Sequence, residues 1–151
     1  MKFLINTNNS FAPTLARLTL GVVFFPHGAQ KVLGWFGGYG FGGTMNAFTE
    51  HMHIPVVFAF LAIMAEFLGS LGLITGFLSR IAALGIATNM VVAIALVHHV
   101  NGFFMNWYGN QKGEGIEYHL LVLGLALIVM IYGAGKASVD NIIAGRAPAK
   151  S

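Results

Sequence analysis

The chain contains no cysteine, which excludes disulfides, iron–sulfur clusters and thiol relays. A redox role would therefore rest on a bound cofactor or a partner. Charge is also scarce. Only 9% of the residues are Asp, Glu, Lys or Arg, against about 25% in an ordinary soluble domain, while 56% are hydrophobic. Too little polar surface remains to clothe a water-soluble globule, so lipid is the expected solvent. The net charge of +3 comes from few, scattered basic residues. No Lys/Arg stripe with interleaved aromatics is present, and no nucleic-acid partner is expected. No long-period repeat occurs, and 151 residues suffice for one domain.

A helix needs about 20 apolar residues to cross the hydrocarbon core. Four such spans are expected, at residues 12–33, 55–78, 81–100 and 116–132. The first is the least apolar, holding Arg17, Pro26 and His27. That arginine, and the lack of an A-x-A-like cleavage site, argue for a retained span rather than a signal peptide. The second follows Glu50-His51-Met52-His53 and opens on Pro55, a residue suited to a first helical turn. Only Ser79-Arg80 separates it from the third, which predicts an antiparallel hairpin. Gly133-Ala134-Gly135-Lys136 ends the fourth with a helix-stopping glycine signature. The expected fold is thus all-α, a single domain over residues 1–151 forming an integral membrane antiparallel four-helix bundle.

Lys/Arg bias sets the expected orientation. One side would carry Lys2, Arg80, Lys136, Arg146 and Lys150, with Arg17 close by; the other would carry Lys31 and Lys112. The richer side should face the cytoplasm of a bacterial-type plasma membrane, with both termini inside and loops 34–54 and 101–115 outside. The Gly- and aromatic-rich outer loop, Gly34-Trp35-Phe36-Gly37-Gly38-Tyr39-Gly40-Phe41-Gly42-Gly43, reads either as a partly re-entrant cover on the outer mouth or as a flexible loop with an aromatic belt. Phe103, Phe104, Trp107 and Tyr108 suit the headgroup region.

Ionisable side chains inside a span cost a few kcal/mol at about mid-bilayer, so each needs a partner or a purpose. Arg17 lies roughly 8 Å from the inner edge at 1.5 Å rise per residue. It is a snorkelling side chain, a packing anchor or half of an ion pair. Glu66, near the middle of the second span, is too deep to snorkel and should be protonated, or paired and turned inward. Ala62, Gly69, Gly72 and Gly76 offer close helix packing around it. Asn89, at similar depth in the third span, is the expected hydrogen-bond partner. The pair would be a polar clasp between helices, or the carboxylate would handle protons or ligand.

All six histidines, His27, His51, His53, His98, His99 and His119, fall on the outward half. His27, Lys31, His98, Glu117 and His119 occupy outer turns of three spans and are expected to converge on one polar pocket, with Lys31 and Glu117 as an ion pair. Such a pocket suits a quinone headgroup, whose carbonyls need hydrogen bonds and whose tail needs an apolar groove. A metal would need converging imidazoles. Adjacent His98 and His99 diverge on a helix and no H-x-x-x-H occurs, so no metal is expected. The plainer alternative is interfacial histidines bonding backbone and headgroups.

Several motifs carry a likeness. They are Arg17-Leu18-Thr19-Leu20-Gly21, His27-Gly28-Ala29-Gln30-Lys31 with Gly34-Trp35-Phe36-Gly37-Gly38, and Glu66-Phe67-Leu68-Gly69 with Gly72. Arg80-Ile81-Ala82-Ala83-Leu84-Gly85, Asn101-Gly102-Phe103-Phe104 and Gly113-Glu114-Gly115-Ile116-Glu117-Tyr118 follow, and Gly133-Ala134-Gly135-Lys136-Ala137-Ser138-Val139-Asp140 closes the series. In this order they resemble the DoxX family of small four-helix membrane proteins over nearly the whole chain. The resemblance implies membership of a group that includes subunits of thiosulfate:quinone oxidoreductases and proteins tied to quinone or catechol stress. It singles out Arg17, His27, Gln30, Lys31, Glu66, Arg80, Asn101, Glu117 and Tyr118. The lack of cysteine sets aside any thiol mechanism of relatives.

The expected function is a quinone-linked membrane subunit or quinone-binding protein, its site drawn from His27, Gln30, Lys31, His98, Asn101, Glu117, Tyr118 and His119, with Arg17, Glu66 and Asn89 as intramembrane polar groups. His27 or His119 would donate to a quinone carbonyl, and Glu117 or Glu66 would take or give a proton. A protein partner would supply electrons. The alternatives are a non-catalytic accessory or assembly subunit of a larger membrane complex, and a small-molecule carrier. Glycine-rich faces also suit a homo-oligomer.

Overall fold

The computed structural model describes residues 2–145, and their regular structure is helical throughout, without a strand. A short α1 (Lys2–Ile5) precedes α2 (Phe11–Leu33). Ser10 caps α2 by accepting a 3.4 Å hydrogen bond from the Ala12 amide, and Gly34 ends it in the left-handed region at φ 72°. The Gly- and aromatic-rich loop after α2 is not irregular coil. It folds into a 3₁₀ turn at Trp35–Gly37, helix α3 (Gly40–Asn46) and a π-helical turn at Ala47–His51, and α3 packs on α2 and α4 (Val56–Thr75). Helix α5 (Ser79–Ala93) continues through a π-helical turn at Ile94–His98 and a 3₁₀ turn at His99–Asn101. Helices α6 (Glu117–Tyr132) and α7 (Val139–Gly145) complete the described chain. Arg146 and Lys150, on which part of the charge bias rests, lie outside the described residues.

The four long helices fall on the four expected segments, with shifted ends. Helix α4 stops at Thr75 rather than Leu78 because Gly76 turns left-handed at φ 73°, and α5 starts two residues early, at Ser79. Two helical runs are long and apolar enough to cross a membrane, Val56–Thr75 and Ser79–Asn101; α6 is apolar but only 16 residues long. Only 33% of the most apolar stretch of the first run and 17% of that of the second is buried within the protein. A core helix of a soluble domain hides most of its surface; these turn apolar side chains such as Phe58, Leu61 and Val91 outward.

Helix α2 packs on α4 and α6, and α5 packs on α4 and α6. The tightest approach is between α2 and α4, where a Cβ on Gly28 would stand 2.6 Å from Phe67 Cα. Gly69 and Gly72 of α4, expected to offer close packing, meet α5 at Ala82, while Gly21 and Gly28 of α2 let the α2 and α4 backbones approach. Leu20, Leu73, Ile86 and Val129 fill the centre.

A buried polar cluster closes one end. Arg17, 1% exposed, donates from Nε to the Ala134 carbonyl at 2.7 Å and from Nη1 to the Leu73 and Ile74 carbonyls, each at 2.8 Å. Its Nη2 donates to the Ala137 carbonyl. It is therefore an anchor, not a snorkelling side chain: its planar fork satisfies carbonyls at the end of α4 and just after α6. Beside it, the Asp140 carboxylate accepts from the Leu78 and Ser79 amides at 2.8 and 3.0 Å, capping α5 from α7. Arg80 donates to the Met130 and Asn6 carbonyls.

Candidate functional site

At the opposite end the helices part around a cavity of about 520 Å³, within the range of small-molecule sites. His27 and Lys31 enter it from α2, four residues apart and so on one face. Glu66 comes from α4, Asn89 and His98 from α5 and its π-helical turn, and Tyr118 and His119 from the first turn of α6. The outer cover adds Phe48, Met52 and Ile54. Most of the lining is apolar, and its polar groups stand together.

The strongest polar contact is the ion pair from Lys31 Nζ to Glu66 Oε2 at 2.5 Å, with side chains 23% and 11% exposed. Two expected contacts are corrected here. Lys31 does not pair with Glu117, whose Oε1 instead accepts from the Met105 amide at 2.8 Å and from Trp107 Nε1 at 3.1 Å. Glu117 opens α6, where consecutive side chains diverge by about 100°, so it faces the 103–107 loop while Tyr118 and His119 face the cavity. Nor does Asn89 bond Glu66: its amide donates to the Ala62 carbonyl at 2.8 Å, one turn away on α4. Two clasps result: Asn89 joins α5 to α4 through a backbone carbonyl, and the ion pair joins α2 to α4.

The rings of His98 and His119 lie 4.1 Å apart. His98 Nδ1 sits 2.9 Å from the Glu114 carbonyl, and since a carbonyl only accepts, Nδ1 carries the proton. Tyr118 stacks on Phe24 at 6.5 Å between ring centroids. Among the buried polar atoms at this spot, the Tyr118 hydroxyl has no hydrogen-bond partner, while the His119 ring is held by the Gly115 backbone. A buried polar group left unmatched costs about 1–3 kcal/mol, which sets this hydroxyl apart from the other polar groups of the cavity wall.

Other expected site residues lie elsewhere. Gln30 donates to the Phe36 carbonyl at 3.2 Å and Asn101 to the Glu114 carbonyl at 3.1 Å, both holding loops. Arg17 belongs to the opposite end. His51, His53 and His99 are exposed and outside the cavity. Among the described residues no three His, Asp or Glu side chains are grouped to hold a metal ion.

The profile of the DoxX family matches residues 12–99, the stretch carrying Arg17, His27, Lys31, Glu66, Asn89 and His98. The chain belongs to the DoxX family. Over 129 residues, 85% of this chain and 89% of the relative, it is 27% identical to inner membrane protein YqjF of Escherichia coli (strain K12). No solved structure matches. As a DoxX protein it is a membrane protein, and its outward apolar surface is lipid-facing.

Two features of this DoxX protein escaped the sequence reading. Glu114 lines the cavity and accepts from the Asn106 amide at 2.6 Å through Oε2; it stood in the quoted motif beside Glu117 but at the exposed end of a loop. Asp140 closed the last motif, and only its position beside the α4–α5 turn shows it to be a cap. The signal available was an isolated acid next to a glycine-rich helix stop.

Proposed function

We propose that this DoxX protein is an antiparallel four-helix transmembrane bundle of the inner membrane, termini cytoplasmic, that binds a quinone headgroup in its outward cavity as a quinone-linked subunit. The observation that carries this reading is the unmatched Tyr118 hydroxyl beside His119 at the wall of a largely apolar cavity. A quinone, when bound, supplies carbonyl acceptors and reversible two-electron, two-proton chemistry. Tyr118 is placed to donate from its hydroxyl, and His119 to donate or accept through its ring according to tautomer. The Lys31–Glu66 pair fixes charge at the cavity wall. Electrons would come from a partner protein.

The test is extraction and mass spectrometry of quinone from protein purified in mild detergent, followed by binding to Tyr118→Phe and His119→Gln. Loss of one hydrogen bond in each should weaken affinity by about tenfold. Wild-type protein that binds no quinone, or variants that bind as wild type, would overturn the assignment.

An accessory subunit of a larger complex is the second reading. It is favoured by how many polar residues serve the fold itself: Arg17, Arg80, Asp140 and Glu117 all hold backbone groups. Stoichiometric co-purification with a complex, without quinone, would select it. A carrier is disfavoured, because Leu20, Ile86 and Val129 and then the Arg17 cluster close the route beyond the cavity.

A further inference from the structure

The cavity is open on one flank. Helix α5 packs along α4 through the body of the protein, but its π-helical continuation Ile94–His98 makes no comparable contact with α4. Phe48, from the other π-helical turn, and Met52, just before α4, line the same cavity. A π turn adds a residue to the helical repeat and so re-aims side chains, a device common at functional sites. Here two such turns contribute residues to one cavity. Val92, Leu96 and Met52 line the cavity yet are 42%, 54% and 38% exposed. These apolar residues thus belong both to the cavity and to the protein surface, and in a membrane protein that surface meets lipid.

We infer that the ligand carries a long apolar tail, which leaves the cavity sideways into the outer half of the bilayer between the π-helical end of α5 and the cover. This rests on the quinone reading and adds the tail and its route. The headgroup sits against Tyr118 and His119; the tail lies on Val92, Leu96 and Met52. A second groove of about 530 Å³ reaches the same tyrosine from the other side, past Trp107 and Leu121. It lacks His27, Lys31, Glu66 and His119, which line the first cavity, so the tail of a headgroup held there leaves by that cavity's own flank.

The decisive experiment uses wild-type protein in lipid nanodiscs and a long-tailed quinone bearing a diazirine in its tail. After photolysis, peptide mass spectrometry should find adducts on residues 92–97 and on Met52, removed by excess unlabelled quinone. Adducts on Phe103, Leu120 or Leu121, or adducts that unlabelled quinone does not displace, would overturn the side route. A second variant narrows the gap: Ala93→Phe should weaken the long-tailed quinone about tenfold and a tailless quinone less than about twofold, since only the first needs the opening. Equal losses would refute the route. Tailless quinone failing to bind wild-type protein would bring down the quinone reading and this inference with it. Normal tailless binding with adducts elsewhere would remove the route alone.

Discussion

Breaking the Lys31–Glu66 pair one side at a time should cost, summed over the two single changes, more than removing both groups together. The pair is short, 2.5 Å, and largely withdrawn from solvent, with 23% and 11% of the two side chains exposed. Removing one partner of a fully buried pair costs about 3–5 kcal/mol, because the survivor is left charged and unpaired. Residual exposure of Lys31 screens part of that, so Glu66→Gln and Lys31→Met should each lose about 2–3 kcal/mol. That is a shift of about 30- to 150-fold in the folding equilibrium. The double variant leaves no stranded charge, and its loss should fall short of the sum by about 1–3 kcal/mol. The assay is reversible unfolding in mixed detergent, followed by circular dichroism, for all four proteins of the cycle. Additive losses would refute the pairing as an energetic link between α2 and α4.

Arg17→Lys should destabilise by about 2–4 kcal/mol despite keeping the charge, since an ammonium cannot reproduce four fork-directed bonds to carbonyls; the same unfolding assay reads it, and near wild-type stability would show the fork is dispensable. Gly76→Ala should cost more than about 1 kcal/mol, because φ is 73° and the new Cβ would meet Ser138 Cα at 2.8 Å; a neutral result would mean the α4–α5 turn relaxes freely. Asp140→Ala should cost about 1–2 kcal/mol by uncapping the Leu78 and Ser79 amides, and an unchanged unfolding midpoint would deny it the capping role. Glu117→Gln should leave global stability within about 1 kcal/mol but loosen residues 103–107, seen as faster limited proteolysis there; unchanged cleavage would show the loop does not depend on that carboxylate.

Composition and hydropathy patterning located the four long helices to within a few residues, because transfer into lipid and helix stops such as Gly34, Gly76 and Gly133 are local properties of the chain. The same reasoning marked Glu66 as a residue that must be paired or neutral, since the desolvation cost follows from depth alone. Partner choice was not legible. Glu66 took Lys31 rather than Asn89, and Glu117 turned to Trp107 rather than Lys31, because pairing depends on which faces meet. That is set by the close approach of Gly28 to Phe67, and by the one-residue rotation between Glu117 and Tyr118 at the start of α6. Arg17 could be read along the chain as a snorkelling residue or an anchor. Only the arrival of the ends of α4 and α6 around it, with carbonyls that have no helical partner, decided for the anchor.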